Sequence, residues 1–69
     1  TNPIKNQVLR INAIHEEMVK IQIFNMQGSL VQEYKTKTNL DSTINLNSGI
    51  YFLQIQSETK INLYQIIVQ

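Results

Sequence analysis

A strict alternation of apolar and polar residues near the middle of the chain places the strongest limit on what this sequence can form. Every second residue of segment 19–23 is apolar, so Val19, Ile21 and Ile23 share one face of an extended strand. Val and Ile are β-branched and fit the half-buried surface of a sheet. The segment is therefore predicted to be a β-strand with one buried face.

A turn signal follows this strand directly. Asn25 suits the first position of a type I turn, and Gly28, three residues later, can adopt the left-handed conformation of a three-residue hairpin loop. The run from Leu30 to Lys37 would then pair back against residues 19–25. We predict a β-hairpin here, with Asn25 and Gly28 as its structural turn residues.

The chain before this hairpin is less clearly patterned. Residues 7–13 are predicted to form a strand, with Leu9, Ile11 and Ala13 on one possible face and Val8 on the other. Residues 15–17 are polar. They are predicted to form a turn between two antiparallel strands.

The chain after the hairpin contains three further predicted strands. A loop at 39–42 precedes a short strand through Thr43, Ile44 and Leu46, and residues 47–49 form a turn. Residues 50–57 form a strand with two apolar faces, one carrying Tyr51, Leu53 and Ile55 and the other Ile50 and Phe52. A turn at 58–59 leads to a last strand at 60–69, whose register stays open because Ile66, Ile67 and Val68 are consecutive.

Length and composition limit the fold class. The chain has 69 residues and no cysteine, so it can form one small domain without disulfides or a thiolate metal cluster. Short strands separated by turns at roughly regular spacing are typical of a sandwich. We expect an all-β fold, a small immunoglobulin-like antiparallel β-sandwich of six or seven strands.

Charge and hydropathy exclude several classes of partner. The formal net charge is +1, which gives no electrostatic reason to expect nucleic acid or an anionic membrane. No apolar run approaches the ~20 residues of a membrane helix. The chain begins with Thr1 rather than Met, and we interpret residues 1–69 as a single domain of a longer protein.

No group of residues points to catalysis or to a cofactor. His15 is followed by Glu16 and Glu17, but a lone His in a polar turn is usually solvated. Asp41 has no second acid at a spacing typical of calcium or of a carboxylate pair. The serines lack a neighbouring base in a recognisable nucleophile arrangement. We therefore expect no enzyme activity, no metal, no cofactor and no small-molecule substrate.

Two further sets of residues have an ordinary interpretation beside a functional one. Lys35 and Lys37 could form a small basic patch, but lysines on an edge strand more often block unwanted strand pairing. Tyr34, Tyr51 and Tyr64 could form a stacking platform for a sugar, but they lie on three different predicted strands. The ordinary interpretation is favoured in both cases.

One spacing is more specific than the count of strands. Leu46, Gly49 and Tyr51 resemble the corner of immunoglobulin-like sandwiches, in which a tyrosine hydroxyl bonds to upstream backbone. Such a bond would satisfy backbone groups left free where the chain crosses between sheets. The alternative is a tyrosine that only packs. Leu46 and Gly49 are the predicted structural residues of this second turn.

The order of several segments resembles one known family. These segments are Asn2-Pro3-Ile4, the strand and turn at 19–31, the Leu46, Gly49 and Tyr51 spacing, and the apolar end at 66–69. Together they resemble the type A C-terminal sorting domain of the type IX secretion system of Bacteroidetes. The chain departs from that pattern in lacking the first Pro, the Gly of the last hairpin and the lysines before the end, where it has Tyr64 and Gln65.

The resemblance implies a folded secretion signal at the end of a longer exported protein. An outer-membrane translocon would read the domain after export to the periplasm, and a sortase-like component would in many members replace it with a surface anchor. The cargo would then be secreted or displayed on the cell surface. The recognition residues implied lie at the corner and in the last strand: Gly49, Tyr51, Tyr64, Ile66, Ile67, Val68 and Gln69.

Two other functions stay open at this point. An immunoglobulin-like accessory or adhesion module would bind a ligand or separate domains, and aligned exposed aromatic side chains would favour it. A donor-strand module would depend on exposed edge strands. Long edges also leave open a weak or strand-swapped dimer.

Overall fold

The computed structural model describes residues 2–4 and 7–69, and this part of the chain contains strands and turns but no helix. The described residues form seven strands, which confirms the expected all-β fold. Their bounds are β1 Asn2–Ile4, β2 Val8–Arg10, β3 Met18–Phe24, β4 Leu30–Lys37, β5 Asp41–Thr43, β6 Gly49–Gln56 and β7 Ile61–Val68. Thr1, where the expected domain begins, lies outside the described residues.

The strands form two layers. Five strands make one sheet in the order β1-β7-β6-β3-β4, and β2 pairs with β5 in a second, two-stranded sheet. Neighbouring strands are antiparallel except β1, which runs parallel to β7 with Asn2 opposite Ile66 and Ile4 opposite Val68. The result is a small sandwich-like fold, consistent with the expected immunoglobulin-like architecture.

The predicted hairpin at 19–37 is confirmed. β3 and β4 pair antiparallel, and the turn between them closes through a hydrogen bond from the Gly28 N–H to the Asn25 carbonyl at 3.0 Å. The Asn25 side-chain oxygen also accepts the N–H groups of Gln27 and Ser29. Gly28 has a φ of +86°, the left-handed conformation that the turn requires.

The core lies between the two layers and consists of branched aliphatic side chains. The alternation of β3 places Val19, Ile21 and Ile23 inward, and β6 contributes Leu53 and Ile55 from the face predicted for it. Leu9 and Ile44 cover them from the side of the two-stranded sheet. Ile11, Tyr34, Leu46 and Tyr51 pack around this cluster and are partly buried. Both layers therefore contribute to a single core.

The predicted turn at 15–17 between two antiparallel strands is wrong. β2 pairs with β5, and β3 pairs with β4 and β6, so the chain crosses from one sheet to the other between residues 11 and 17. The strand predicted at 7–13 is also shorter and covers only Val8–Arg10. The crossing places Leu9 over the core, where its burial outweighs a local hairpin.

The short strand predicted through Thr43, Ile44 and Leu46 begins earlier than expected. It covers Asp41–Thr43, so part of the predicted loop at 39–42 belongs to it, and Ile44 follows it as a buried core residue. Pairing with β2 places Arg10 opposite Asp41, where their side chains form an exposed ion pair at 3.2 Å, and the Ile44 N–H donates to the Gln7 carbonyl at 2.8 Å beyond the last pair. Periodicity within one short segment carries no information about that partner.

A buried hydroxyl and a side-chain amide hold the crossing segment in place. Thr38 is the buried polar residue of the described chain, and its Oγ1 accepts the Glu17 N–H at 3.0 Å and donates to the His15 carbonyl at 3.2 Å. Asn39 has a φ of +65°, and its side chain bonds both the N–H and the carbonyl of Ala13. These contacts satisfy backbone groups that no sheet pairs with.

We expect replacement of Gly28 by Ala to destabilise the hairpin by about 1–2 kcal/mol, because a Cβ makes the left-handed conformation costly. The space around Gly28 is open, so the loss would be conformational and not steric. Gly28→Asn, which tolerates this conformation better, should lose less. Urea melts of both variants measure the free energy of unfolding. Equal midpoints for Gly28→Ala and the parent chain would contradict a conformational role for Gly28.

We expect Thr38→Val to cost about 1–3 kcal/mol in the free energy of unfolding, since the Glu17 N–H would lose its acceptor in a part-buried place. The amide of Glu17 should also exchange faster with solvent. Thr38→Ser keeps the hydroxyl and is the control, for which protection of the Glu17 amide should persist. Unchanged exchange in the Val variant would show that the hydroxyl does not hold the segment.

Candidate recognition surface at the last strand

The corner proposed from the sequence has its hydrogen bond in the structure. The Tyr51 hydroxyl donates to the carbonyl of Asn47 at 2.8 Å, four residues upstream. Gly49 lies beneath the Tyr51 ring, and a Cβ built on it would be 3.7 Å from Cε2 of that ring. Its φ of +158° is one that other residues rarely adopt. The tyrosine thus fixes the turn that leads into β6.

Gln7 supports the same turn, although nothing in the sequence pattern pointed to it. Its side-chain oxygen accepts the Leu46 N–H at 2.9 Å, and its carbonyl accepts the Ile44 N–H at 2.8 Å. Leu46 is partly buried against the core. A residue near the start of the chain therefore holds the backbone before the corner, a contact that only folding brings together.

The structure decides the register of the last strand. Ile66 and Val68 point into the core with 3% and 2% of their surface exposed, whereas Ile67 points to the opposite face and is half-buried. Tyr64 shares the inward face of Ile66 but lies beyond the core, and it is 48% exposed. The predicted recognition residues of β7 therefore differ strongly in accessibility.

The last residues of β7 are paired on both sides. β6 runs along one side, with Tyr51 opposite Ile66 and Gly49 opposite Val68, and β1 occupies the other side of residues 66–68. A receptor could therefore not capture residues 66–68 by adding a strand to them, because such a strand would have to displace β1.

The outer face of the larger sheet carries an uncharged patch next to the end of β7. Ile67 lies opposite Ile50, Gln65 lies opposite Phe52, and Phe52 lies opposite Phe24 on β3. Ile50 and Phe52 are 39% and 41% exposed. We call these residues the outer patch: Phe24, Ile50, Phe52, Gln65 and Ile67. The sequence placed Ile50 and Phe52 on one face but could not join them to Ile67 while the register was open.

The residues considered for chemistry lie apart from this patch. His15 is exposed in the crossing segment, and Asp41 is paired with Arg10. Among the described residues, no cluster of His, Asp or Glu could hold a metal ion. Lys35 and Lys37 are exposed on β4, an edge strand of the larger sheet, as the ordinary interpretation predicted.

The perturbed titratable groups also have structural explanations. The pKa of Glu33 is lowered by a hydrogen bond from the Gln22 amide and by the nearby ammonium of Lys20, 3.5 Å away. Burial raises the pKa of Tyr34, whose hydroxyl lies 2.9 Å from the Ser42 Oγ in the other sheet. Tyr34 and Tyr51 pack against the core, so the three tyrosines do not form a stacking platform.

Comparison with known families decides what this fold is for. The family model described as the secretion system C-terminal sorting domain matches residues 2–69. The chain belongs to this family. No curated protein and no solved structure matches the sorting domain significantly.

Family membership gives the sorting domain its general role. It is a C-terminal sorting signal for type IX secretion, which carries a protein across the outer membrane to the surface or the medium. The domain is thus part of a cargo protein and interacts with the secretion machinery. Nothing favours the accessory or adhesion module as an alternative. In the described ranges no helix has the length and apolar character to span a membrane.

We expect Tyr51→Phe to lower the free energy of unfolding by about 1 kcal/mol, the net contribution of one hydrogen bond. The ring would keep its packing on Gly49, so the loss isolates the bond to Asn47. Tyr64→Phe is the matched control, since Tyr64 is exposed and forms no hydrogen bond among the described residues. If urea melts gave both variants the midpoint of the parent chain, the corner bond would not contribute to stability.

Proposed function

We propose that residues 1–69 act as one recognition unit at the end of a longer exported protein and perform no chemistry of their own. An outer-membrane component of the type IX translocon would read the folded domain. A sortase-like component would then remove it from those cargoes that receive a surface anchor. The observation that carries this proposal is the division of β7 into a buried face and an outer face beside an uncharged patch.

The division assigns different roles to the recognition residues inferred from the resemblance. Ile66 and Val68 are buried and would anchor the strand, while Tyr51 and Gly49 would hold β6 in place beside it. Ile67 would contact the receptor together with its neighbours in the outer patch. Gln69 follows β7 and is exposed, so its side chain is accessible for the same contact.

An uncharged apolar patch of this kind suits protein recognition. Contiguous exposed apolar side chains often mark interaction sites, and aromatic residues contribute strongly to such interfaces. The charged pair Lys20 and Glu33 lies farther along the same face, where β3 and β4 pair. A receptor that covers the outer patch would therefore contact apolar and amide side chains before it reaches the charged side chains of Lys20 and Glu33.

We expect Ile67→Gln to reduce surface delivery of a reporter by about tenfold or more without unfolding the domain, because it removes an apolar side chain from the part of the outer patch that lies on β7. The domain would be fused to a periplasm-directed reporter in a host that carries the type IX system. Leu40→Gln is the control, since Leu40 is 49% exposed and lies between β4 and β5. Circular dichroism and urea melts confirm that both variants fold.

A second variant separates the outer patch from the free end of the chain. A short Gly/Ser tail appended after Gln69 leaves the outer patch intact but moves the carboxylate of the tested chain away from the end of β7. Retention of this variant in the periplasm would show that the end itself is read. Delivery of the Ile67→Gln variant at the level of the Leu40→Gln control would refute a role for the patch, and retention of the unaltered domain would refute the sorting role.

A further inference from the structure

The first half of β7 has a backbone edge without a partner strand in the described chain. The Ser57 N–H donates to the Lys60 carbonyl at 2.9 Å and closes the hairpin between β6 and β7. Hydrogen-bonded and non-hydrogen-bonded pairs alternate along an antiparallel ladder. The backbone groups of Asn62 and Tyr64 therefore bond to β6. The N–H and C=O groups of Ile61, Leu63 and Gln65 point away from β6. β1 pairs only with residues 66–68.

The opposite edge of the same sheet is protected. The Thr38 N–H donates to the Glu17 carbonyl at 2.9 Å, which sets the alternation between β3 and β4. The residues of β4 with outward backbone groups are then Glu33, Lys35 and Lys37. Charged side chains on an edge strand prevent the addition of another strand. Every residue of β7 is uncharged, so this protection is confined to β4.

A cleft borders the unprotected edge on the inner face of the sheet. It has a volume of about 400 Å³, and Asn62 and Tyr64 of β7 line it together with Val19 and Ile55 of the neighbouring strands. Residues 11–15 of the crossing segment form its other wall. A strand added to the edge of β7 would therefore direct every second side chain towards the cleft.

The side chains around this edge are apolar and accessible. Leu63 and Ile61 are 70% and 59% exposed on the outer face, and Ile14 at the wall of the cleft is 96% exposed. The ionisable side chains that line the cleft are His15, Glu17 and Lys60, one acid and two basic residue types, so no single sign of charge dominates it. Its chemistry matches an uncharged peptide better than a charged one.

We propose that residues 61–65 and the adjacent cleft bind an extended strand of a partner protein, uncharged and apolar at alternating positions. The outward N–H and C=O groups of Ile61 and Leu63, and the N–H of Gln65, would hydrogen-bond its backbone. The parallel register of β1 directs the Asn2 N–H to the C=O of Gln65, so that acceptor is already used. Its inward side chains would enter the cleft beside Tyr64, and its outward side chains would pack on Leu63. Backbone pairing supplies affinity in this mode of recognition, and the pocket supplies specificity.

The register of β1 favours a separate strand over a second copy of this chain. In a symmetric antiparallel pair, Leu63 would face its own copy, and Ile61 would face Gln65. Lys60 of the copy would then reach the position opposite Ile66, which Asn2 already occupies. The hairpin turn at residues 57–60 would therefore collide with β1, whereas a single extended strand can diverge after five residues.

The proposal concerns a different segment of β7 from the outer patch and does not depend on the outer patch.

Amide hydrogen exchange tests this proposal on the 69-residue chain. The probe is a synthetic peptide of about nine residues in which Thr and Val alternate between terminal lysines. At saturating peptide, exchange at Ile61, Leu63 and Gln65 should slow by about tenfold or more, while Asn62 and Tyr64, already bonded to β6, change little. The amide of Lys35 on the protected edge serves as the internal reference.

A substitution tests the same site by binding. Leu63→Lys places a charge on the open edge without a core change, since Leu63 is 70% exposed. It should weaken peptide binding by about tenfold or more, whereas the control Leu40→Lys should bind like the parent chain. Fluorescence anisotropy of a labelled peptide measures both.

Three results would overturn the proposal. The first is an unchanged exchange rate at Ile61, Leu63 and Gln65 with the peptide present at millimolar concentration. The second is protection of the Lys35 amide on β4 as strong as that of the three β7 amides. The third is protection without peptide that increases with protein concentration, because a second copy would then occupy the edge. The alternating pattern of protection, together with weaker binding of the Leu63→Lys variant, would support it.

Discussion

The burial of Ile66 and Val68 is the interaction on which the rest of the structure depends. These side chains close a core that draws on both layers, and each contributes about 1.5–3 kcal/mol by leaving water. A domain of this size has a total stability of only a few kcal/mol, and this chain has no disulfide to supplement it. Strand β7 is therefore an integral part of the folded core, and removing its last residues would remove core area as well.

The two faces and two edges of the larger sheet serve different purposes. Its inner face forms the core, and its outer face carries the patch at the end of β7 beside Ile50 and Phe52. Its β4 edge is closed to other strands by charge, whereas the first half of the β7 edge is uncharged and beside a cleft. Ile61, Leu63 and Tyr64 of β7 and Ile50 and Phe52 of β6 are among the exposed apolar side chains of the described chain.

Local patterns predicted those parts of the fold that depend on neighbours in sequence. The alternation of residues 19–23, the Asn25 and Gly28 turn and the two faces of β6 are all found as expected. The resemblance of Leu46, Gly49 and Tyr51 to an immunoglobulin corner suggested a hydrogen bond from the tyrosine hydroxyl to upstream backbone, and that hydroxyl donates to the Asn47 carbonyl. The prediction was wrong at residues 15–17 and at β5, where the partner strand is distant in sequence, and periodicity says nothing about it.

The sequence by itself determined an all-β chain, the central hairpin and, through the order of its motifs, the sorting family, whereas the hydrogen bond at the corner was decided by the structure. Only the tertiary structure decided which of the consecutive residues Ile66, Ile67 and Val68 face the core, and that β1 pairs with them on the far side from β6. It also decided that, within the described residues, no strand pairs with the outer edge of β7 before them. The reason is physical. Turn geometry and side-chain alternation act over a few residues. The register and the partner of each strand follow instead from which apolar side chains the second layer can cover. Which side chains it covers depends on the path of the whole chain.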